Sequence, residues 1–130
     1  MSIRRSIFAL ALLPLAGIVL GGLTPATDSA MHFRLDRSAP AADSVVPPPA
    51  EVRLWFSQGA QEDATTIRVL DAGGDPLETG ALSSTEDRTE HAVALPGTLP
   101  DGPYTVAWRS MAADGHVVRG DFVFTVRSQE

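Results

Sequence analysis

The stretch EVRLWFS, residues 51–57, alternates strictly: Val52, Leu54 and Phe56 fall on one side of an extended chain, and Arg53, Trp55 and Ser57 on the other. Strand side chains point to opposite faces in turn, so this period of two describes a half-buried β-strand. The habit continues in TTIRVL (65–70), where Ile67 and Val69 share a side. It returns in YTVAW (104–108), with Tyr104, Val106 and Trp108 on one face, and in DFVFTV (121–126), with Phe122, Phe124 and Val126 on one face. Between these runs lie DAGGDP (71–76) and LPGTLPDGP (95–103), clusters in which glycine supplies positive φ and proline removes a backbone donor. Such clusters end strands. After residue 30 no segment carries a helical period.

A first strand near residues 33–37 and weaker ones near 77–83 and 90–95 bring the count to about seven, the number that an immunoglobulin-like sandwich of about 100 residues requires. The expected fold is therefore an all-β, Greek-key, immunoglobulin-like β-sandwich. VVPPPAE (45–51) reads as a proline-rich approach to the second strand.

Length and composition set the outer bounds. At 130 residues, 44% hydrophobic and 20% charged, the chain is long enough for one globular core. The formal charge is −6, and all ten basic residues are arginine. Phosphate binding needs a basic surface, so a nucleic-acid partner is disfavoured. An acidic exterior suits cations.

Residues 1–30 read differently from the rest. Arg4 and Arg5 precede SIFALALLPLAGIVLGGL (6–23), an apolar run broken by Pro14 and glycines and followed by small and polar residues. That is the pattern of an export signal, and residues 31–130 would form the mature domain. The run is also close to the lower limit of a membrane-spanning helix, so an uncleaved anchor is the rival reading. Cleavage falls somewhere from 26 to 31. Ala26 at the −1 position with Thr24 at −3 suits signal peptidase, whereas Ala30 at −1 places Asp28 at −3. There are no cysteines, so an exported domain must rely on its core and bind metal through nitrogen, oxygen or thioether ligands.

The polar groups that stand out are His32, Asp114 and His116. Asp114 and His116 lie two apart in SMAADGHVVRG (110–120) and share side-chain parity, a spacing that suits two ligands on one ion. On spacing alone, Asp-Gly describes an ordinary turn equally well. His91, in TEHAVAL (89–95), has no partner at ligand spacing and reads as exposed and idle. Tyr104 and Trp108 read as core, with Trp108 beneath the 110–120 segment; Arg109 reads as solvated and STEDRTE (84–90) as a charged loop.

Two longer stretches carry a family resemblance. HFRLDRSAPAADSVVPPPAEVRLWFS (32–57) resembles the opening of the CopC family of exported copper-binding proteins, whose pattern runs H-x-x-L-x-x-S-x-P-A, a proline-rich step and a strand ending in F-S. GPYTVAWRSMAADGHVVRGDFVFTV (102–126) is similar to the family's closing pattern, G-x-Y-x-V-x-W-R, S-x-D-x-H and G-x-x-x-F-x-V, except that Ala112 or Ala113 stands where the second motif often has serine. The resemblance implies one copper(II) ion per chain, held by His32, Asp114 and His116. In the family that first histidine begins the mature chain, and its α-amino nitrogen joins its imidazole on the metal. A chain starting at Met31 would instead offer the Met31 amine, the His32 amide nitrogen and the imidazole; a start at Thr27, or an uncleaved leader, leaves the imidazole alone.

Three nitrogens and one oxygen favour tetragonal copper(II), with zinc as the competitor. Imidazole and amine ligands bind unprotonated, so affinity is expected to fall as pH drops through about 7 to 6. Met1, Met31 and Met111 are the only methionines, so no separate copper(I) site is expected. Gln58 stands where the family often has glutamate after F-S, removing an anion from the site.

The resemblance further implies a periplasmic, non-catalytic and monomeric protein that buffers or delivers copper, in resistance or homeostasis, with a membrane copper transporter of the CopD type as partner. Two other classes compete: a histidine-brace copper oxidoreductase, against which an aspartate in the ligand set argues, and a structural immunoglobulin-like module with a degenerate site.

Overall fold

The computed structural model describes residues 32–129. The leader expected over 1–30, its cleavage site and Met31 lie outside the described residues. Eight strands follow in order: β1 (Leu35–Ala39), β2 (Val45–Val46), β3 (Glu51–Phe56), β4 (Thr66–Leu70), β5 (Ser83–Ser84), β6 (Glu90–Ala94), β7 (Gly102–Met111) and β8 (Val117–Val126). Among the described residues there is no α-helix.

The strands form two four-stranded sheets, ordered β1-β3-β6-β5 and β2-β8-β7-β4. All pairings are antiparallel except that of β2 with β8, which is parallel. This is an all-β sandwich of the immunoglobulin-like Greek-key kind, with the first strand divided between the two sheets. That division makes eight strands from the expected seven. Val45–Val46, read from the sequence as part of an approach segment, is a strand in its own right, because its backbone completes the exposed edge of β8. The strand expected near 77–83 is mostly absent. Only Ser83–Ser84 pairs there, and a Leu70–Pro76 bridge closes the turn before it. Few apolar side chains in 77–83 face the core, so little burial holds that segment to the sheet.

Alternation decides which faces meet. Val52, Leu54 and Phe56 of β3 are buried, as are Tyr104, Val106 and Trp108 of β7. They close on each other between the sheets, where Phe56 meets Trp108 edge-on at 5.3 Å and Tyr104 stacks on Phe124 at 5.7 Å. Tyr104 also donates its hydroxyl to the Pro100 carbonyl at 2.6 Å, which ties the start of β7 to the loop before it. On the outer face of β3, Arg53 reaches Glu51 and Glu90, and the Arg37 guanidinium lies 4.0 Å from the centre of the Trp55 ring. The polar side of the period-two pattern therefore pairs outside the core.

Candidate metal centre

The candidate centre lies where the chain enters β1 beside the β7–β8 hairpin. β7 and β8 pair from Gly102–Val126 to Met111–Val117 and leave residues 112–116 as the connection. Within it the Gly115 amide donates to the Ala112 carbonyl and the Ala112 amide to the His116 carbonyl, both at 2.9 Å. Gly115 has φ +91, a conformation that a side chain resists, and this bend brings Asp114 and His116 to one side.

Both Asp114 carboxylate oxygens are used. Oδ1 accepts from the His116 amide at 3.0 Å, and Oδ2 lies 2.6 Å from His116 Nδ1. A carboxylate can only accept, so Nδ1 carries the hydrogen and the lone pair of the neutral ring lies on Nε2. Hydrogen bonds from the His116 amide and then its ring hold the Asp114 carboxyl below the usual carboxylate range. The two side chains are 63% and 82% exposed, so an ion from solvent has access to them. Gln61 braces the loop, its side-chain amide donating to the Ala113 carbonyl at 3.2 Å and its backbone amide to the Met111 carbonyl at 2.9 Å.

His32 comes from the other side. Phe33 is buried and stacks on Phe56 at 5.0 Å, which anchors the chain just after His32. Ser57 then clamps the segment: its hydroxyl donates to the His32 carbonyl and accepts from the Arg34 amide, each at 3.0 Å, while its own amide donates to the Arg34 carbonyl at 2.9 Å. His32, Asp114, His116 and Gln58 line one concavity of about 440 Å³, floored by Phe33 and Ala112. Among the described residues no three histidine, aspartate or glutamate side chains gather around a single point. The fold thus pairs Asp114 with His116 and brings His32 to the same hollow without closing the three into a cage.

Two other sequence readings have clear outcomes. Tyr104 and Trp108 are core, as their alternation requires. His91 is not exposed: it is 2% accessible, with Nδ1 2.7 Å from the Ser84 hydroxyl, Nε2 2.9 Å from the Arg88 carbonyl and its ring edge-on to Phe56 at 5.6 Å. Its parity carried that signal, since His91, Val93 and Leu95 alternate and all three are buried.

An immunoglobulin-like sandwich here carries a carboxylate–imidazole pair on an end hairpin, facing a histidine just ahead of its first strand, and these are donor types that suit a borderline metal ion. Residues 35–127 match the family model described as the CopC domain, and the chain belongs to the CopC family. It is 31% identical over 120 residues to copper resistance protein C of Escherichia coli, spanning 85% of this chain and 94% of that one. It is 30% identical over 97 residues to the copper transport protein CutJ of Bacillus subtilis, covering 73% of this chain but 18% of that longer protein. Among solved structures, CopC from Methylosinus trichosporium OB3b superposes with a TM-score of 0.68 at 33% identity, over 76% of this chain and 97% of that one. Membership places the chain among copper-handling proteins.

Proposed function

We propose that this chain is an exported, periplasmic copper(II)-binding protein that buffers or delivers the ion, holding one copper(II) through His32, Asp114 and His116. The observation that carries the reading is the Asp114–His116 pair facing the clamped His32 segment across one hollow. His116 offers Nε2, because Asp114 occupies Nδ1. A carboxylate behind a ligating imidazole orients the ring and raises its basicity. Asp114 keeps further lone pairs on both oxygens and offers one of them to the ion. His32 supplies an imidazole and, where the mature chain begins there, an α-amine. The described residues contain one methionine, Met111, which supports a site for copper(II) over copper(I).

The chain acts as a monomeric binder that hands copper to a membrane transporter of the CopD type. The likeness to a stretch of a longer copper transport protein supports that partnership. Calorimetric titration of copper(II) into a chain beginning at His32 tests the reading. One ion per chain is expected. In Asp114→Ala/His116→Ala the affinity should drop by at least about 100-fold, the upper end of what loss of even an outer-shell partner costs. Unchanged affinity would reduce the chain to a structural module.

A further inference from the structure

The outward face of the sheet β2-β8-β7-β4 carries an arrangement that copper ligation leaves unexplained. Arg109 of β7 and Arg119 of β8 are direct cross-strand partners, and both are exposed. Thr66 of β4 faces Arg109 from the other side, and Arg68 stands one outward position along β4, opposite Ala107. Cross-strand partners share a face, so the three arginines project from the same surface. They line one shallow concavity of about 320 Å³ whose only carboxylate is Asp121. Among the described residues none of the three takes part in an ion pair.

Like charges directly opposed across strands destabilise a sheet. The chain nevertheless opposes two arginines here while carrying 16 carboxylates and a formal charge of −6. Elsewhere Arg34 and Arg53 are paired with neighbouring acids. Three unpaired guanidinium forks over a floor of Thr66 and Ala107 match carboxylates, which they grip two oxygens at a time. An extended anionic surface such as a lipid bilayer would meet the repulsion of the whole acidic molecule. A short acidic segment would meet the local field alone, because screening confines it to about 8 Å at physiological salt.

The patch also has a telling position. Arg109–Arg119 is separated from the 112–116 loop by only the Ser110–Val118 and Met111–Val117 pairs, about 10 Å along the strands at ~3.3 Å per residue. We infer that Arg68, Arg109 and Arg119 form a docking face for an acidic segment of a protein partner that exchanges copper with the Asp114–His116 loop. The inference rests on the copper reading for its purpose and on the arginine geometry for its chemistry.

Fluorescence anisotropy of a labelled hexaglutamate peptide with the full chain tests it, with hexalysine and phosphatidylglycerol vesicles as comparison probes. Saturable binding of hexaglutamate is expected, weakened by about tenfold or more in Arg109→Gln/Arg119→Gln, weakened also in Arg68→Gln, and unchanged in Arg127→Gln. Thermal melts establish that the variants are folded; removal of two opposed charges should leave the melting temperature at or above its original value. No saturable binding, equal binding by the double variant, or arginine-dependent capture of vesicles in preference to peptide would overturn the docking face. Copper(II) titration of the same samples separates the two readings. Peptide binding without copper binding would sink the copper function and leave the acid-binding face; copper binding without peptide binding would sink the face alone.

Discussion

At His91 a single imidazole ties β6 to β5 and to the preceding loop. The Arg88 carbonyl can only accept, so Nε2 carries the hydrogen and Nδ1 accepts from Ser84. Both nitrogens are satisfied in the neutral ring, and burial pushes its pKa down against the opposing effect of the Arg88 carbonyl. The folded state thus takes up this proton at lower pH than the unfolded chain. Its stabilising contribution is complete above the unfolded value of about 6.5 and is lost as pH falls through the lower folded value. Urea unfolding should therefore show a lower midpoint near pH 5 than near pH 7.5, with a smaller drop in His91→Asn; equal drops would refute it. His91→Ala should cost about 2 kcal/mol from lost packing and the two lost hydrogen bonds, to Ser84 and Arg88. Gly115 is the second sensitive residue. Gly115→Ala forces a side chain to φ +91, which should cost about 1 kcal/mol and weaken copper(II) binding by moving Asp114 relative to His116.

The β7–β8 hairpin is the element on which the site depends, and its regularity has a visible cause. Gly120 faces Trp108 across the pair, and a Cβ there would lie 2.8 Å from Cζ2 of the indole, with Cε2 at 3.0 Å. A ring packed against Phe56 has little room to retreat. Gly120→Ala should therefore destabilise by about 1–3 kcal/mol, read as a lowered denaturation midpoint. The clamp between β1 and β3 makes a different prediction. Ser57→Ala removes two hydrogen bonds from the segment carrying His32 but keeps the Ser57 amide bond to Arg34 and the Phe33 stack. Copper(II) affinity should fall severalfold, about 1 kcal/mol, with the melting temperature little changed; the reverse pattern would show that the clamp serves the fold alone. At this scale the sequence was legible wherever burial alternates. β3, β4, β7 and β8 follow their period-two patterns, because one face of each is apolar and register errors would expose it, whereas β6 buries His91, Ala92 and Val93 in succession. Val45–Val46 and Ser83–Ser84 carry no such pattern and depend on a neighbouring strand edge that the local sequence does not encode.

Across the whole molecule, copper should act as a tie between the start of the first strand and the far end of the last hairpin. A ligand that binds only the folded state at about 100 times its Kd adds about 2.7 kcal/mol to the unfolding free energy. Copper(II) should therefore raise the melting temperature where magnesium does not, and Asp114→Ala/His116→Ala should abolish the rise. By itself the sequence determined the sandwich, the inward residues of its principal strands and the shared side of Asp114 and His116. Those follow from alternation, turn chemistry and a two-residue spacing, all short-range properties of the chain. Tertiary structure alone decided that His32 faces the same hollow, because Ser57 and Phe56 lie some twenty-five residues further along and hold it there. It alone decided that Arg68 joins Arg109 and Arg119 on one face. Strand order sets which distant residues become neighbours, and strand order is fixed by how the two sheets close over a shared core.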